Sequence, residues 1–291
     1  MSHKVALPKV QTLPLVLASP HSGRDYPPAF LRRAHLAKAA LRLSEDAFVD
    51  TLFAAAPDRG APLITALFPR TFVDANREPL ELDPAMFSDR LPWPVNRTSP
   101  RVRGGLGVIA RVGANGAPIY NRQLPVAEAR ERIRQHYFPY HRALRQLVHD
   151  TRQRFGHVIL LDCHSMPSQA VARLSMTIGR VSNEPARPID FVLGDCHGAS
   201  CTSDITDCAE EVLTDLGYTV ARNSPYAGGF TTRHYGHPER GIHALQIEVN
   251  RALYMDEATL ERHAGADRLA AELGDAIAHI AAASPIARAA E

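Results

Sequence analysis

The sequence contains no run approaching the roughly 20 consecutive apolar residues that a membrane-spanning helix needs. Its apolar stretches, such as residues 13–18 and 158–161, have the length of strands. The early stretch is too short and too interrupted by proline for a signal peptide, so a cytoplasmic location is expected. Cysteine is scarce: Cys163, Cys196, Cys201 and Cys208 show neither CxxC pairing nor zinc-ribbon spacing, and reduced thiols are expected. Charge of one sign is also lacking, because 33 Lys and Arg against 31 Asp and Glu leave a formal +2. That balance argues against a nucleic-acid or membrane-surface partner. No internal repeat and no low-complexity linker is found.

What is present is ordinary globular material, 45% hydrophobic and 22% charged over 291 residues. One α/β domain spanning residues 1–291 is expected. Histidine is plentiful, at 14, and points the search toward metal or acid–base chemistry. Strands are read at residues 13–18, 61–69, 157–165, 190–195, 218–223 and 243–250. Ser44 reads as an N-cap for a helix whose apolar face is Phe48, Val49, Leu52 and Phe53. Residues 84–106 read as a long irregular excursion, and 105–122 as a hairpin turning at Asn115-Gly116. A long helix covers 125–155 with a kink at Pro139. Further helices lie near 209–216 and at 257–282. Strands alternating with helices imply a mostly parallel sheet covered on both faces, with ligands beyond the carboxyl ends of the strands.

Those ends carry the chemistry. The first strand runs into Ser19-Pro20-His21-Ser22-Gly23, the central one into Asp162-Cys163-His164-Ser165, and the late one contains Glu248. A single histidine at a strand end is more often a hydrogen-bonded loop residue than a ligand, but two at the ends of apolar strands favour a metal. Glu45-Asp46 either favours a helix dipole or supplies a carboxylate ligand. Glu248 lies in an apolar pattern, where an ionised carboxylate is unfavourable unless paired or bound. Zinc suits three His and carboxylate ligands with one position left for water. Asn76-Arg77 suits a substrate carboxylate, or pairs with Glu78 or Glu81 on the surface. Residues 224–236 form either a substrate lid or a tight turn. Cys163 as a nucleophile is disfavoured, because alternation along a strand separates it from His164.

The blocks SPHSG, SEDAFVD, PRTFVDANREPLELDP, LLDCHSMPS and GGFTTRHYGHPERGIHALQIEVNRALYMDE resemble the N-formylglutamate amidohydrolase family, in order, from about residue 14 to 260. The resemblance implies a three-layer α/β/α domain with a mostly parallel, mixed sheet, like that of the zinc exopeptidases, metallocarboxypeptidases and aspartoacylase. It implies one zinc ion on His21, His164 and an acidic residue. The relatives keep that acid three residues after the first histidine, where this chain has Arg24. Glu45 is the choice in its place, with Asp46 and then Asp25 as alternatives. Glu248 matches the general base, Arg70 the residue polarising the scissile carbonyl, and Asn76 with Arg77 the pair binding the substrate carboxylate. Thr231, Thr232, Arg233 and His234 would serve a second carboxylate.

The implied reaction is hydrolysis of N-formyl-L-glutamate to formate and L-glutamate in histidine degradation. Alternatives are a deacylase of N-succinylglutamate or an N-acylaspartate, a metal- or carboxylate-binding protein without activity, and a cysteine hydrolase. The expected partner is a small dicarboxylate N-acyl amino acid. His and carboxylate ligands also accept Mn, Co or Fe.

Overall fold

The computed structural model describes residues 1–182 and 187–282. Seven strands, β1 (His3–Ala6), β2 (Leu15–Ser19), β3 (Leu63–Ala66), β4 (Val158–Met166), β5 (Phe191–Gly194), β6 (Val220–Arg222) and β7 (Ile242–Asn250), form one sheet. Their order is β1-β3-β2-β4-β7-β5-β6. β2, β4 and β7 run parallel, and so do β5 and β6, while β5 is antiparallel to β7. The sheet is therefore mixed and mostly parallel, as expected. The central strands are apolar on both faces because both are covered: every residue of β2 and β4 is buried. β1, short and half-exposed, escapes the sequence reading because its HKVA segment has no apolar run. The helices are α1 (Pro28–Arg33), α2 (Lys38–Arg42), α3 (Val49–Leu52), α4 (Pro100–Arg103), α5 (Val126–Arg132), α6 (Phe138–Phe155), α7 (Ser168–Ser182), α8 (Ser203–Asp215), α9 (Phe230–Tyr235) and α10 (Gly265–Ala282).

The chain divides into two compact units. One comprises Met1–Val5, Pro20–Ala47 and Ile64–Gln146, and the rest of the described chain forms the other. In the second unit, α10 packs on α8 and α3, and α9 on β4 and β7. The buried face of α10 is Leu269, Leu273, Ala276, Ile277 and Ile280, an i, i+3, i+4 stripe. In the first unit the aromatic rings of Phe30, Phe72 and Tyr120 surround the buried guanidinium of Arg132.

Several local expectations need correction. Ser44 caps no helix: its hydroxyl accepts from Ala114 N, and α3 begins later, after Phe48 in the left-handed region (φ 66°). Residues 105–122 make the turn at Gly116 but no hairpin strands, only one bridge between Val112 and Pro118. The reason is competition. Val108 donates to Glu81 O and accepts from Asp74 N, so its backbone is committed elsewhere. The bend expected at Pro139 is a π turn, Ile133–Tyr137, between α5 and α6. Proline lacks the N–H that would bond four residues back, and the wider turn absorbs the gap. Within 224–236 lies a helix, α9, not merely a loop. The closing helix starts at Gly265, because residues 255–262 form a small antiparallel pair. No helix among the described residues is long and apolar enough to cross a membrane.

Candidate metal centre

The carboxyl ends of the adjacent parallel strands β2, β4 and β7 bear His21, His164 and Glu248. The loop after β2 is held by Gly23. A Cβ there would lie 2.2 Å from Phe68 O, so only glycine permits this approach of two backbones. Asp25 N then donates to Leu67 O. The loop is thereby pinned against the segment that leads into Arg70 and Asp74.

His21 is buried between two carboxylates. Its Nδ1 is 3.2 Å from Asp46 Oδ2 and its Nε2 2.7 Å from Asp74 Oδ1. Asp46 is brought there by its own backbone, whose N–H donates to His21 O. Asp74 also accepts from Arg70 Nη2 (3.0 Å) and from Asn76 N (2.8 Å), with Arg77 Nη2 at 3.7 Å. Burial alone would raise the Asp74 carboxyl. Arg77, His21 and Arg70 outweigh it and hold the group well below the ordinary carboxylate range.

β4 repeats the device. His164 Nε2 lies 3.0 Å from Asp162 Oδ2, two residues earlier on the same face of the strand. The β4–β7 register pairs His164 with Glu248 and Asp162 with Gln246, so all four side chains share that face. Gln246 Nε2 donates to Glu248 Oε1 at 2.8 Å, orienting the buried carboxylate. Cys163 points the other way. It is fully buried, its thiol donates to Leu161 O, and burial pushes its pKa well up, the opposite of an activated nucleophile.

One atom each of His21, Asp46 and His164 lie within 4.8 Å of one another, all three residues buried. The donor set fits a divalent cation: two imidazoles and a carboxylate, with a further carboxylate on the Nε2 side of each ring, the arrangement that fixes ring orientation and raises ligand basicity. Asp46, the alternative to the expected Glu45, is the acid that lies with the two histidines. The chain bends here, with Glu45 N bonded to Arg42 O and Asp46 N to His21 O, and Glu45 turns to Tyr26 OH (2.7 Å) and Arg42 Nε (3.4 Å). Burial raises the Glu45 carboxyl, against the lowering by its two donors. Nor does the pair open a helix, since it follows α2 and precedes α3 by two residues.

Arg70 donates to Asp46 as well as Asp74, and its side chain is 23% exposed. Arg77 is more enclosed. Its Nε donates to Leu106 O and its Nη1 to Asn76 O, so backbone from the irregular excursion clamps it. The pairing of Arg77 with Glu78 or Glu81 considered above is thus not the one observed. Of the α9 residues, Thr231 and Thr232 are fully buried, Thr232 donating to Gly229 O, while Arg233 and His234 are exposed. Sequence reasoning missed the orienting roles of Asp74 and Asp162. The signal for Asp74 was local, an aspartate two residues before an asparagine in a turn. For Asp162 it was the period of two that separates it from His164.

Comparisons with known proteins give the family of the chain. The family model described as N-formylglutamate amidohydrolase matches residues 13–255. The N-formylglutamate deformylase of Pseudomonas putida is 30% identical over 249 residues, 84% of this chain and 83% of that protein. The protein of the same name from Pseudomonas aeruginosa is 31% identical over the same shares. A crystal structure of N-formylglutamate amidohydrolase from Ralstonia eutropha JMP134 is 40% identical and superposes with a TM-score of 0.88, covering 100% of this chain and 99% of that one. A gene product of Agrobacterium tumefaciens, 19% identical with a TM-score of 0.64 over 94% of each chain, shares the fold. The chain belongs to the N-formylglutamate amidohydrolase family.

Proposed function

We propose that the chain hydrolyses the formyl amide of N-formyl-L-glutamate to formate and L-glutamate, using a zinc ion held by His21, Asp46 and His164. The observation that carries this reading is the buried His–Asp–His group with a carboxylate on Nε2 of each ring and Glu248 in register with His164. With Asp74 and Asp162 on the Nε2 atoms, each histidine would hold the ion through its remaining ring nitrogen. When bound, the ion supplies Lewis acidity that activates water near neutral pH and polarises the carbonyl. Glu248, oriented by Gln246, takes the proton of the attacking water and passes it to the departing amine nitrogen. Arg70 donates to the oxygen that becomes anionic in the tetrahedral transition state. Asn76 and Arg77 hold the α-carboxylate, and the clamp from Leu106 keeps the Arg77 fork in place. Arg233 and His234, exposed on α9, serve the second carboxylate.

The test separates metal binding from chemistry. Glu248→Gln should retain stoichiometric zinc while kcat for formate release falls by about 10²–10⁴-fold, the usual contribution of general acid–base catalysis. His21→Ala and His164→Ala should lose the metal itself. A Glu248→Gln enzyme within a few-fold of the parent would remove Glu248 from the mechanism. Unchanged zinc in both histidine variants would remove the ligand assignment.

A further inference from the structure

A second pocket lies in the first compact unit. It encloses about 500 Å³, in the range of small-molecule sites, and none of the residues placed above in metal binding or catalysis lines it. Phe30 and Phe72 give it an apolar wall, and Arg33, Glu128, Arg132 and His136 bring polar groups to it.

Arg132 is the unusual member. It is 3% exposed, and its guanidinium carbon lies 4.4 Å from the Phe72 ring centre and 5.4 Å from that of Phe30. Its Nη1 donates to Tyr120 OH (2.7 Å) and Phe72 O (3.3 Å), and its Nη2 to Glu128. Its buried Nε has no hydrogen-bond partner. Neither has the buried Nδ1 of His136, one turn along, whose ring sits edge-on to Phe68 and Phe72 at 5.2 Å. Burial lowers the pKa of His136, so the ring is neutral near pH 7. Buried polar atoms left unmatched are unfavourable, and these two belong to residues that both line the pocket. Glu128 lines the pocket beside Arg132. It is 30% exposed and shared between Arg132 and Arg33, whose Nη1 is 2.8 Å from it.

We propose that this pocket is a binding site for a small planar carboxylate, distinct from the metal centre. Its carboxylate takes the fork formed by Nε and Nη2 of Arg132, displacing Glu128 toward Arg33. Its flat apolar body lies against Phe30 and Phe72, and a second polar atom reaches Nδ1 of His136. The site bears on the metal centre through two short links. Phe72 stands two residues from both Arg70 and Asp74, and its carbonyl is held by Arg132. Phe30 stacks on Tyr26, whose hydroxyl donates to Glu45 beside Asp46.

Calorimetry on the zinc-loaded protein with 2-naphthoate and with its neutral amide, 2-naphthamide, tests the proposal. The carboxylate should bind at least about tenfold more tightly than the amide, since a charge-assisted bond is lost. Binding should survive saturating L-glutamate. Ala29→Trp fills the pocket from an exposed position on its wall and should abolish it, while Arg132→Gln should weaken it about tenfold or more. Should Arg132→Gln fail to fold, Ala29→Trp with the amide control decides alone. Equal affinity for acid and amide, retention of binding in Ala29→Trp, or displacement by L-glutamate would each overturn the proposal. These readouts do not depend on hydrolytic activity, so they stand or fall apart from the proposed reaction.

Discussion

Asp74 meets His21, Arg70, Arg77 and the backbone of Asn76 at once, and so joins the first histidine of the candidate site to the cations on either side of it in the chain. An amide there keeps the shape but not the charge. Asp74→Asn should weaken zinc binding by about 10–100-fold, the usual effect of losing an outer-shell partner, as read by competition with a chelator. The same residue predicts an acid limb. Its folded pKa lies below the unfolded value, so its stabilisation is fully present above about pH 4 and is lost as pH falls through the folded value. Urea midpoints of metal-free protein should therefore decline less steeply below pH 4 in Asp74→Asn than in the parent. Equal slopes would show that another carboxylate governs the acid limb. At this scale His21, His164 and Glu248 were legible as candidates, because each stands in or just after an apolar strand. The sequence was not informative about Glu45 against Asp46. Two adjacent acids differ only in the direction each takes from the backbone, and the contact of Asp46 N with His21 O that sets that direction is long-range.

The loop between β2 and α1 depends on one missing methyl. Gly23→Ala would place a carbon 2.2 Å from Phe68 O, and since that neighbour is backbone it cannot swing aside. The variant should lose about 1–3 kcal/mol of stability by urea unfolding, the usual range for overpacking, and zinc affinity should fall because His21 moves with the loop. An unchanged midpoint with unchanged zinc affinity would refute the tight approach. Elements were legible where hydrophobic period and length agreed, as in β4, β5, β7 and α10. They were illegible where backbone partners come from far away. Residues 107–110 have strand-like composition, yet the backbone of Val108 is bonded to Glu81 O and Asp74 N. The α7 segment, residues 168–182, is illegible because only Pro167 separates it from β4, and no loop marks where strand gives way to helix.

Across the molecule, metal and fold should be linked. A ligand that binds only the folded chain stabilises it by mass action, about 2.7 kcal/mol at a hundredfold excess over its dissociation constant. Zinc added to metal-free protein should therefore raise the melting temperature of the parent in scanning calorimetry. It should leave His21→Ala unmoved, and an equal shift in that variant would place the ion elsewhere. The fold class was readable at this scale because sandwiched parallel strands leave long apolar runs, and β2 and β4 are such runs. The division into two compact units left no such mark, because their boundaries fall at Val5, Ser19, Ala47, Leu63 and Gln146 with no shift in composition.

The pairing of His164 with Glu248 across β4 and β7 bears on how such an enzyme can be re-engineered. The gap between them is the interstrand spacing of about 4.8 Å, set by the backbone ladder and not by the side chains around it. Randomised libraries aimed at acyl or amino-acid preference therefore belong in 84–106 and 224–236, outside the paired strands. Residues 158–166 and 242–250 are best left fixed. A one-residue slip of either strand would turn its own side chain, His164 or Glu248, to the opposite face and away from the other, and no change in a loop could rescue it.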